Sequence, residues 1–105
     1  MIDSKLGLFV DDEREPPEND GTRWIIARTF HRALCWLEDT DFDIVSLDHD
    51  LACFYGNKEL KGRQILDWLI ERKINNRVTP DVVKVHSENP VGCATMREDI
   101  KRYWP

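Results

Sequence analysis

The chain has 105 residues, of which 41% are hydrophobic and 33% are charged, and its formal net charge is −5. This length and composition predict one globular domain and exclude a disordered or low-complexity chain. The acidic balance excludes a generic nucleic-acid coat protein, which needs a basic surface, and no run reaches the roughly 18 apolar residues that span a bilayer.

The pattern of apolar residues predicts strands that alternate with helices. Four short apolar runs predict strands, at about 5–10, 24–28, 43–47 and 82–86. Helical spacing of apolar residues predicts three helices, at about 29–39, 62–75 and from 90 onward. Thr29 is the expected N-cap of the first helix, and Pro90 is the expected first residue of the last helix. The Pro-, Asn- and Gly-containing segment 13–23 and the segment 51–61 are expected to be loops.

This order of elements predicts an α/β domain with a mostly parallel sheet. Segment 13–23 is about the shortest connection that can join two parallel strands. An antiparallel edge position for the second strand is therefore the alternative.

Polar residues follow three of the predicted strands at the point where each strand ends. They are Asp11 and Asp12 after the first strand, Asp48, His49 and Asp50 after the third, and His86 and Ser87 after the fourth. Ligands of parallel sheets bind beyond the carboxyl ends of the strands. If the three strands are neighbours, these side chains therefore share one crevice.

Three of the carboxylates predict a metal site. Two like charges a few ångströms apart repel each other by about 4 kcal/mol at an effective dielectric of about 20, and a bound cation removes that cost. Carboxylate oxygens are hard ligands, which favour Mg²⁺, Mn²⁺ or Ca²⁺ over softer metals. Asp11, Asp12 and Asp48 are therefore the expected ligands, and helix caps or solvated loop acids are the alternative.

Residues that suit a phosphate flank this crevice. Ser87, Asn89 and Gly92 lie at the expected start of the last helix, where free backbone N–H groups and the helix dipole attract an anion. Arg14 offers a guanidinium from the loop after the first strand. The alternative for Ser87 and Asn89 is capping of that helix, which is compatible with phosphate binding.

Two histidines and one aspartate are the candidate catalytic residues. A neutral imidazole can transfer a proton at about pH 7, which suits His49 and His86. Asp48 is a candidate covalent nucleophile. A purely structural role is the alternative for each histidine.

Three motifs, VDDER at 10–14, SLDHDL at 46–51 and HSENPVG at 86–92, occur in this order. Together they resemble the cyclic-phosphate-processing receiver-like domain family over about residues 5–100. The resemblance implies a divergent response-regulator receiver fold, a flavodoxin-like three-layer structure with a four-stranded sheet in the order 2-1-3-4. It also implies metal ligands at Asp11 and Asp12, a ligand or phosphoryl acceptor at Asp48, and a phosphate contact at Ser87.

The sequence departs from the receiver pattern in two respects. The loop at 13–23 stands where a receiver has its first helix, and the sequence shows no fifth strand with the lysine that follows it in receivers. Ordinary phosphorelay signalling is therefore not expected. The additional His49 and His86 fit the processing of cyclic phosphates that is predicted for the family.

These features favour metal-dependent hydrolysis of a cyclic phosphodiester, on a cyclic nucleotide or on an RNA 2′,3′-cyclic phosphate end. The expected cofactor is Mg²⁺ or Mn²⁺, and the expected partner is a phosphate-containing small molecule or an RNA end. Whether the domain is an enzyme stays open, because a non-enzymatic module that binds phosphate, nucleotide or a protein partner is the alternative. A small interaction protein with an acidic rim for a basic partner is a third hypothesis.

The remaining sequence signals concern location and redox state. Residues 1–5 lack the basic and apolar regions of a signal peptide, so a cytoplasmic location without a membrane partner is expected. Cys35, Cys53 and Cys93 show no paired C-x-x-C spacing. This spacing argues against a disulfide framework and against a structural zinc site.

Overall fold

A four-stranded sheet lies at the centre of the computed structural model, which describes residues 5–18, 20–48, 53–55, 58–86 and 90–105. For 53–55, 58–60 and 90–92 the description covers the backbone only. The described strands are β1 (Lys5–Val10), β2 (Thr22–Ala27), β3 (Ile44–Asp48), β4 (Cys53–Tyr55), β5 (Lys58–Leu60) and β6 (Val82–His86). The described helices are α1 (Phe30–Asp39), α2 (Gly62–Ile74) and α3 (Pro90–Tyr103). Among the described residues, no helix has the length and apolar character needed to cross a bilayer.

The central sheet has the strand order β2-β1-β3-β6, and every pair of neighbouring strands in it is parallel. This confirms the predicted α/β class and the predicted order 2-1-3-4, in which β6 is the fourth strand. The antiparallel alternative for the second strand is wrong, because β2 pairs with β1 in parallel along its whole length. The described residues between these two strands contain no helix, as the Pro-containing loop predicts.

All three described helices pack against the same face of the central sheet. One hydrophobic core joins strand residues such as Val10 and Leu47 to Leu37 of α1, Leu66 of α2 and Met96 of α3. The described part of the chain therefore has two layers, where the flavodoxin-like resemblance implies three. The steps from β2 to β3 and from β3 to β6 advance in one direction along the sheet, so right-handed crossovers place their helices on one side. The step from β1 to β2 runs the other way, and its described residues form no helix.

The helix ends follow the sequence signals closely. The Thr29 hydroxyl accepts a hydrogen bond from the backbone N–H of Arg32 at 3.2 Å, which confirms it as the N-cap of α1. α2 ends at Ile74, one residue before the predicted end, and the N–H of its C-cap Asn75 donates to the carbonyl of Glu71 at 3.1 Å. Pro90 is the first residue of α3, as predicted.

A short antiparallel hairpin lies in the segment expected to be a loop. β4 and β5 pair from Cys53 opposite Leu60 to Tyr55 opposite Lys58. The loop assignment for 51–61 is therefore wrong at these positions, including its placement of Cys53. The overlooked signal was a two-residue Gly-Asn sequence between two short runs, which is typical of a hairpin.

Candidate functional site

The carboxyl ends of β1, β3 and β6 meet at one edge of the central sheet. Val10 pairs with Leu47 across β1 and β3, and Asp48 pairs with His86 across β3 and β6. The residues that end these strands are consequently neighbours, although they are distant in sequence. This is the edge at which parallel sheets bind their ligands.

Three carboxylates come together at this edge. Asp11, Asp12 and Asp48 each offer one oxygen atom, and these atoms lie within 4.8 Å of one another. Asp11 is fully buried, Asp48 is 7% exposed and Asp12 is exposed. Three negative charges so close together, two of them largely removed from water, form a set of hard oxygen donors that suits a divalent cation such as Mg²⁺ or Mn²⁺.

Asp11 is held by the chain itself through both of its carboxylate oxygens. Oδ1 accepts hydrogen bonds from the backbone N–H groups of Glu13 and Arg14, each at 2.9 Å, and Oδ2 lies 2.9 Å from Nε2 of His86. Burial raises the pKa of Asp11, but the hydrogen bonds from two backbone N–H groups and the contact with His86 lower it by more than burial raises it. The pKa of Asp11 therefore lies below its ordinary value. Asp11 is therefore an ionised, pre-oriented carboxylate.

His86 has contacts with three described side chains. Its Nε2 faces Asp11, its Nδ1 lies 2.6 Å from the hydroxyl oxygen of Ser46, and its ring stacks on Phe9. The two ring centroids are 4.3 Å apart and the planes are 6° from parallel. Phe9 and Ser46 share a sheet face because they are paired in the β1–β3 register and alternate with the helix-facing residues.

The loop after β1 is fastened to the end of β2 by Arg28. Its Nη1 donates to the backbone carbonyl of Arg14 at 2.6 Å, and its Nη2 contacts the Glu15 carboxylate at 2.8 Å. The same Nη1 lies 3.4 Å from the carbonyl of Asp11. Arg28 thus fixes the backbone that carries the first two carboxylates of the cluster.

The other predicted site residues differ in what the structure says of them. Arg14 lies in the loop after β1, half-buried, and its backbone N–H donates to Asp11. Gly92 lies in the first turn of α3, which follows β6. His49, Ser87 and Asn89 lie outside the described residues, so their roles stay predictions.

A comparison with protein families places this arrangement among known domains. A family model described as the cyclic-phosphate processing receiver domain matches residues 6–102. The chain belongs to this family. No curated protein matches the chain. The match confirms the resemblance carried by the three motifs and covers nearly all of the chain.

Two side chains of this receiver domain were not anticipated from its sequence. Ser46 is a hydroxyl inside the apolar run of β3, and its spacing of two from Asp48 places it on the same sheet face. Arg28 follows β2 at the same edge as the acidic residues. A single polar residue within a strand, and a polar residue just after one, were the available signals.

Proposed function

We propose that this receiver domain cleaves a cyclic phosphodiester in a reaction that depends on a divalent cation. The observation that supports the proposal is the group of three carboxylates within 4.8 Å at the carboxyl edge of the sheet. The membership of the chain in a cyclic-phosphate processing family points to the same substrate class. The three carboxylates lie at the ends of β1 and β3, and His86 at the end of β6 is paired with Asp48.

Asp11, Asp12 and Asp48 are the residues that would hold the cation. A bound Mg²⁺ or Mn²⁺ there supplies a Lewis acid for the phosphoryl oxygens and lowers the pKa of a bound water. The hydrogen bonds to Asp11 do not prevent ligation, because a carboxylate has about four acceptor positions and Asp11 accepts three hydrogen bonds from the chain. Asp12 is exposed and so is the most accessible of the three side chains.

The remaining site residues bind the phosphate and move the proton. Arg14 and the start of α3, with Ser87, Asn89 and Gly92, are proposed to bind the phosphoryl oxygens. Water adds to phosphorus and gives up a proton to the solvent, one P–O ester bond breaks, and the departing oxygen takes a proton from His49 or His86, which regains it from the solvent. In a variant of this scheme, the Asp48 carboxylate first displaces the same ester oxygen from phosphorus, and water then hydrolyses the acyl phosphate, which restores Asp48 and releases the phosphate monoester.

One observation also favours a non-enzymatic binding module. The carboxylate of Asp11 is already satisfied by hydrogen bonds from three residues of its own chain, as in a side chain with a purely structural task. In that case the domain would bind phosphate, a nucleotide or a protein partner without turning it over.

Turnover measurements separate these two functions. The substrates are 2′,3′- and 3′,5′-cyclic nucleotides and a short RNA ending in a 2′,3′-cyclic phosphate, each incubated with Mg²⁺ or Mn²⁺ and followed by ³¹P NMR. We expect ring opening by the wild-type domain and its loss in Asp12→Asn and Asp48→Asn. Asp41→Asn is the matched control, because Asp41 is exposed and lies between α1 and β3, at the opposite edge of the sheet.

Three results would count against hydrolysis. They are no ring opening of any substrate with either metal, unchanged turnover in Asp12→Asn and Asp48→Asn, or an equal loss in Asp41→Asn. Calorimetry with the same compounds then tests the binding module, which predicts a saturable heat and intact ligand after several hours with metal.

A further inference from the structure

We propose that His86 is a positioning residue that holds the Asp11 carboxylate, and that Ser46 in turn holds His86. The inference rests on the proposed function only for the task of Asp11 as a metal ligand. The arrangement itself consists of two short hydrogen bonds and one ring stack between described residues. It gives His86 a role other than proton donor to the substrate.

The direction of each hydrogen bond follows from the chemistry of the partners. An ionised carboxylate can only accept, so Nε2 of His86 must carry the hydrogen that points to Oδ2 of Asp11, 2.9 Å away. In the neutral imidazole Nδ1 is then an acceptor, and the Ser46 hydroxyl donates to it at 2.6 Å. Asp11 thus sets the tautomer, and the Ser46 hydroxyl, which can donate or accept, donates to the ring nitrogen that carries no hydrogen.

The stacked contact with Phe9 fixes the plane of the imidazole. Phe9 is 5% exposed and lies almost parallel to the ring, so the imidazole has one covered face. With a covered face and a bonded partner at each nitrogen, the imidazole resembles the outer-shell residue that hydrogen-bonds a metal-ligating carboxylate and orients it. The proton transfer of the proposed reaction is then assigned to His49, the other candidate from the sequence.

Ser46, His86 and Asp11 are hydrogen-bonded in the same order as a hydrolytic Ser–His–Asp triad. Ser46 does not fit the nucleophile of such a triad, because it lies inside β3, paired on both sides with β1 and β6. Ser46 is only 7% exposed, whereas a nucleophile must reach the substrate. The chain of hydrogen bonds therefore runs from the sheet interior to the carboxylate cluster and orients it.

NMR of the metal-free domain tests the arrangement without any activity measurement. Long-range ¹H–¹⁵N spectra at about pH 8, above the ordinary His pKa of about 6.5, report which ring nitrogen carries the hydrogen. Signals of His86 are identified by their absence in His86→Gln. We expect the Nε2–H tautomer in the wild type and its reversal to Nδ1–H in Asp11→Asn, because the new amide can donate to Nε2. A wild-type Nδ1–H tautomer, or no change in Asp11→Asn, would overturn the proposal.

Metal affinity tests the positioning role in a second way, with Mn²⁺ as the probe and EPR of free Mn²⁺ as the measurement. His86→Leu removes the donor and should weaken Mn²⁺ binding by about 10–100-fold, the usual cost of losing an outer-shell partner. His86→Gln keeps an N–H donor and should largely restore binding. Ser46→Ala should show a smaller loss, and Ser46→Thr, which keeps the hydroxyl, should restore it. Equal affinity in His86→Leu and wild type would contradict the role.

Kinetics distinguish positioning from proton donation once a substrate is known. Glutamine cannot transfer a proton, so a proton-donating His86 predicts that His86→Gln keeps Mn²⁺ affinity and loses kcat. A positioning His86 predicts that His86→Gln largely keeps both its Mn²⁺ affinity and its kcat. If the wild type binds no Mn²⁺ and turns over no substrate, the proposed function fails, while the tautomer measurement still decides the hydrogen-bonded arrangement.

Discussion

Gly7 of β1 is paired with Trp24 of β2, and the indole ring lies across the space that a side chain at position 7 would occupy. A Cβ atom at Gly7 would stand 2.5 Å from Cε3 of Trp24 and 2.7 Å from Cγ2 of Thr22. The indole is held in this place by its Nε1–H, which donates to Asp20 at 3.2 Å, and by an edge contact with Phe9. On the face without described helices, this aromatic side chain covers the sheet.

Gly7→Ala should therefore destabilise the domain by about 1–3 kcal/mol, the usual cost of overpacking a fitted site. Urea unfolding of the single variant measures the loss. Trp24→Leu removes the obstructing ring, so adding Gly7→Ala to that background should cost much less. An equal cost of Gly7→Ala in both backgrounds would show that the indole is not the cause.

Thr29→Ala should lower the free energy of unfolding by about 0.5–2 kcal/mol, because the hydroxyl caps an N–H group at the start of α1. Thr29→Ser keeps the acceptor oxygen and should retain most of the stability. Thermal unfolding of both variants provides the comparison. Equal midpoints for the two variants would mean that the cap contributes nothing measurable.

Arg28→Ala should weaken both the domain and its affinity for Mn²⁺, because the guanidinium fixes the loop that carries Asp11 and Asp12. The expected loss in the free energy of unfolding is about 1–2 kcal/mol, because hydrogen bonds from a charged group stabilise a fold and the partial exposure of this side chain reduces their contribution. Arg23→Ala is the matched control, since Arg23 is exposed near the start of β2, the strand that Arg28 follows. A similar loss in both variants would point to a general charge effect.

The stability of the metal-free domain should fall with acid in a way that depends on Asp11. The folded pKa of Asp11 is lowered, because hydrogen bonds from Arg14, Glu13 and His86 outweigh its burial. Above the unfolded pKa of about 3.9, its stabilising contribution is complete. As pH falls through that value towards the folded pKa, the unfolded chain binds the proton first and the contribution is lost.

Urea unfolding in the presence of a chelator, repeated at decreasing pH, measures this effect. The stability difference between wild type and Asp11→Asn should be largest near neutral pH and shrink as the pH falls below about 4. Glu18→Gln controls for the loss of one charge at an exposed position. A wild-type advantage over Asp11→Asn that stays constant down to the lowest pH would contradict the assignment.

The regular elements were predictable because their signals are local. Apolar runs such as the one ending at Val10 predict the ends of the four central strands to within two residues. Thr29 and Pro90 predict the starts of two helices to within one residue. The acidic residues at strand ends also indicated the site, since parallel strands bring their carboxyl ends to one edge. The resemblance to the receiver-like family implied the strand order 2-1-3-4 that the structure has.

Long-range side-chain contacts were not predictable in the same way. Ser46 and His86 are 40 residues apart, and only the β3–β6 pairing brings them together. Arg28 contacts a loop 14 residues before it through its flexible side chain. Every described helix lies on one face because the described residues between β1 and β2 form no helix, a consequence that local patterns do not display.

Trp24, Phe9 and His86 form a row of ring contacts, in which Trp24 meets Phe9 edge-on and Phe9 stacks on His86. Phe9, which covers the sheet on this face, also contacts the imidazole that faces the acidic cluster. A substitution at Trp24, which is not part of the acidic cluster, is expected to change the imidazole's orientation through Phe9. Selection for a stable sheet and selection for a working pocket therefore act on the same three aromatic rings.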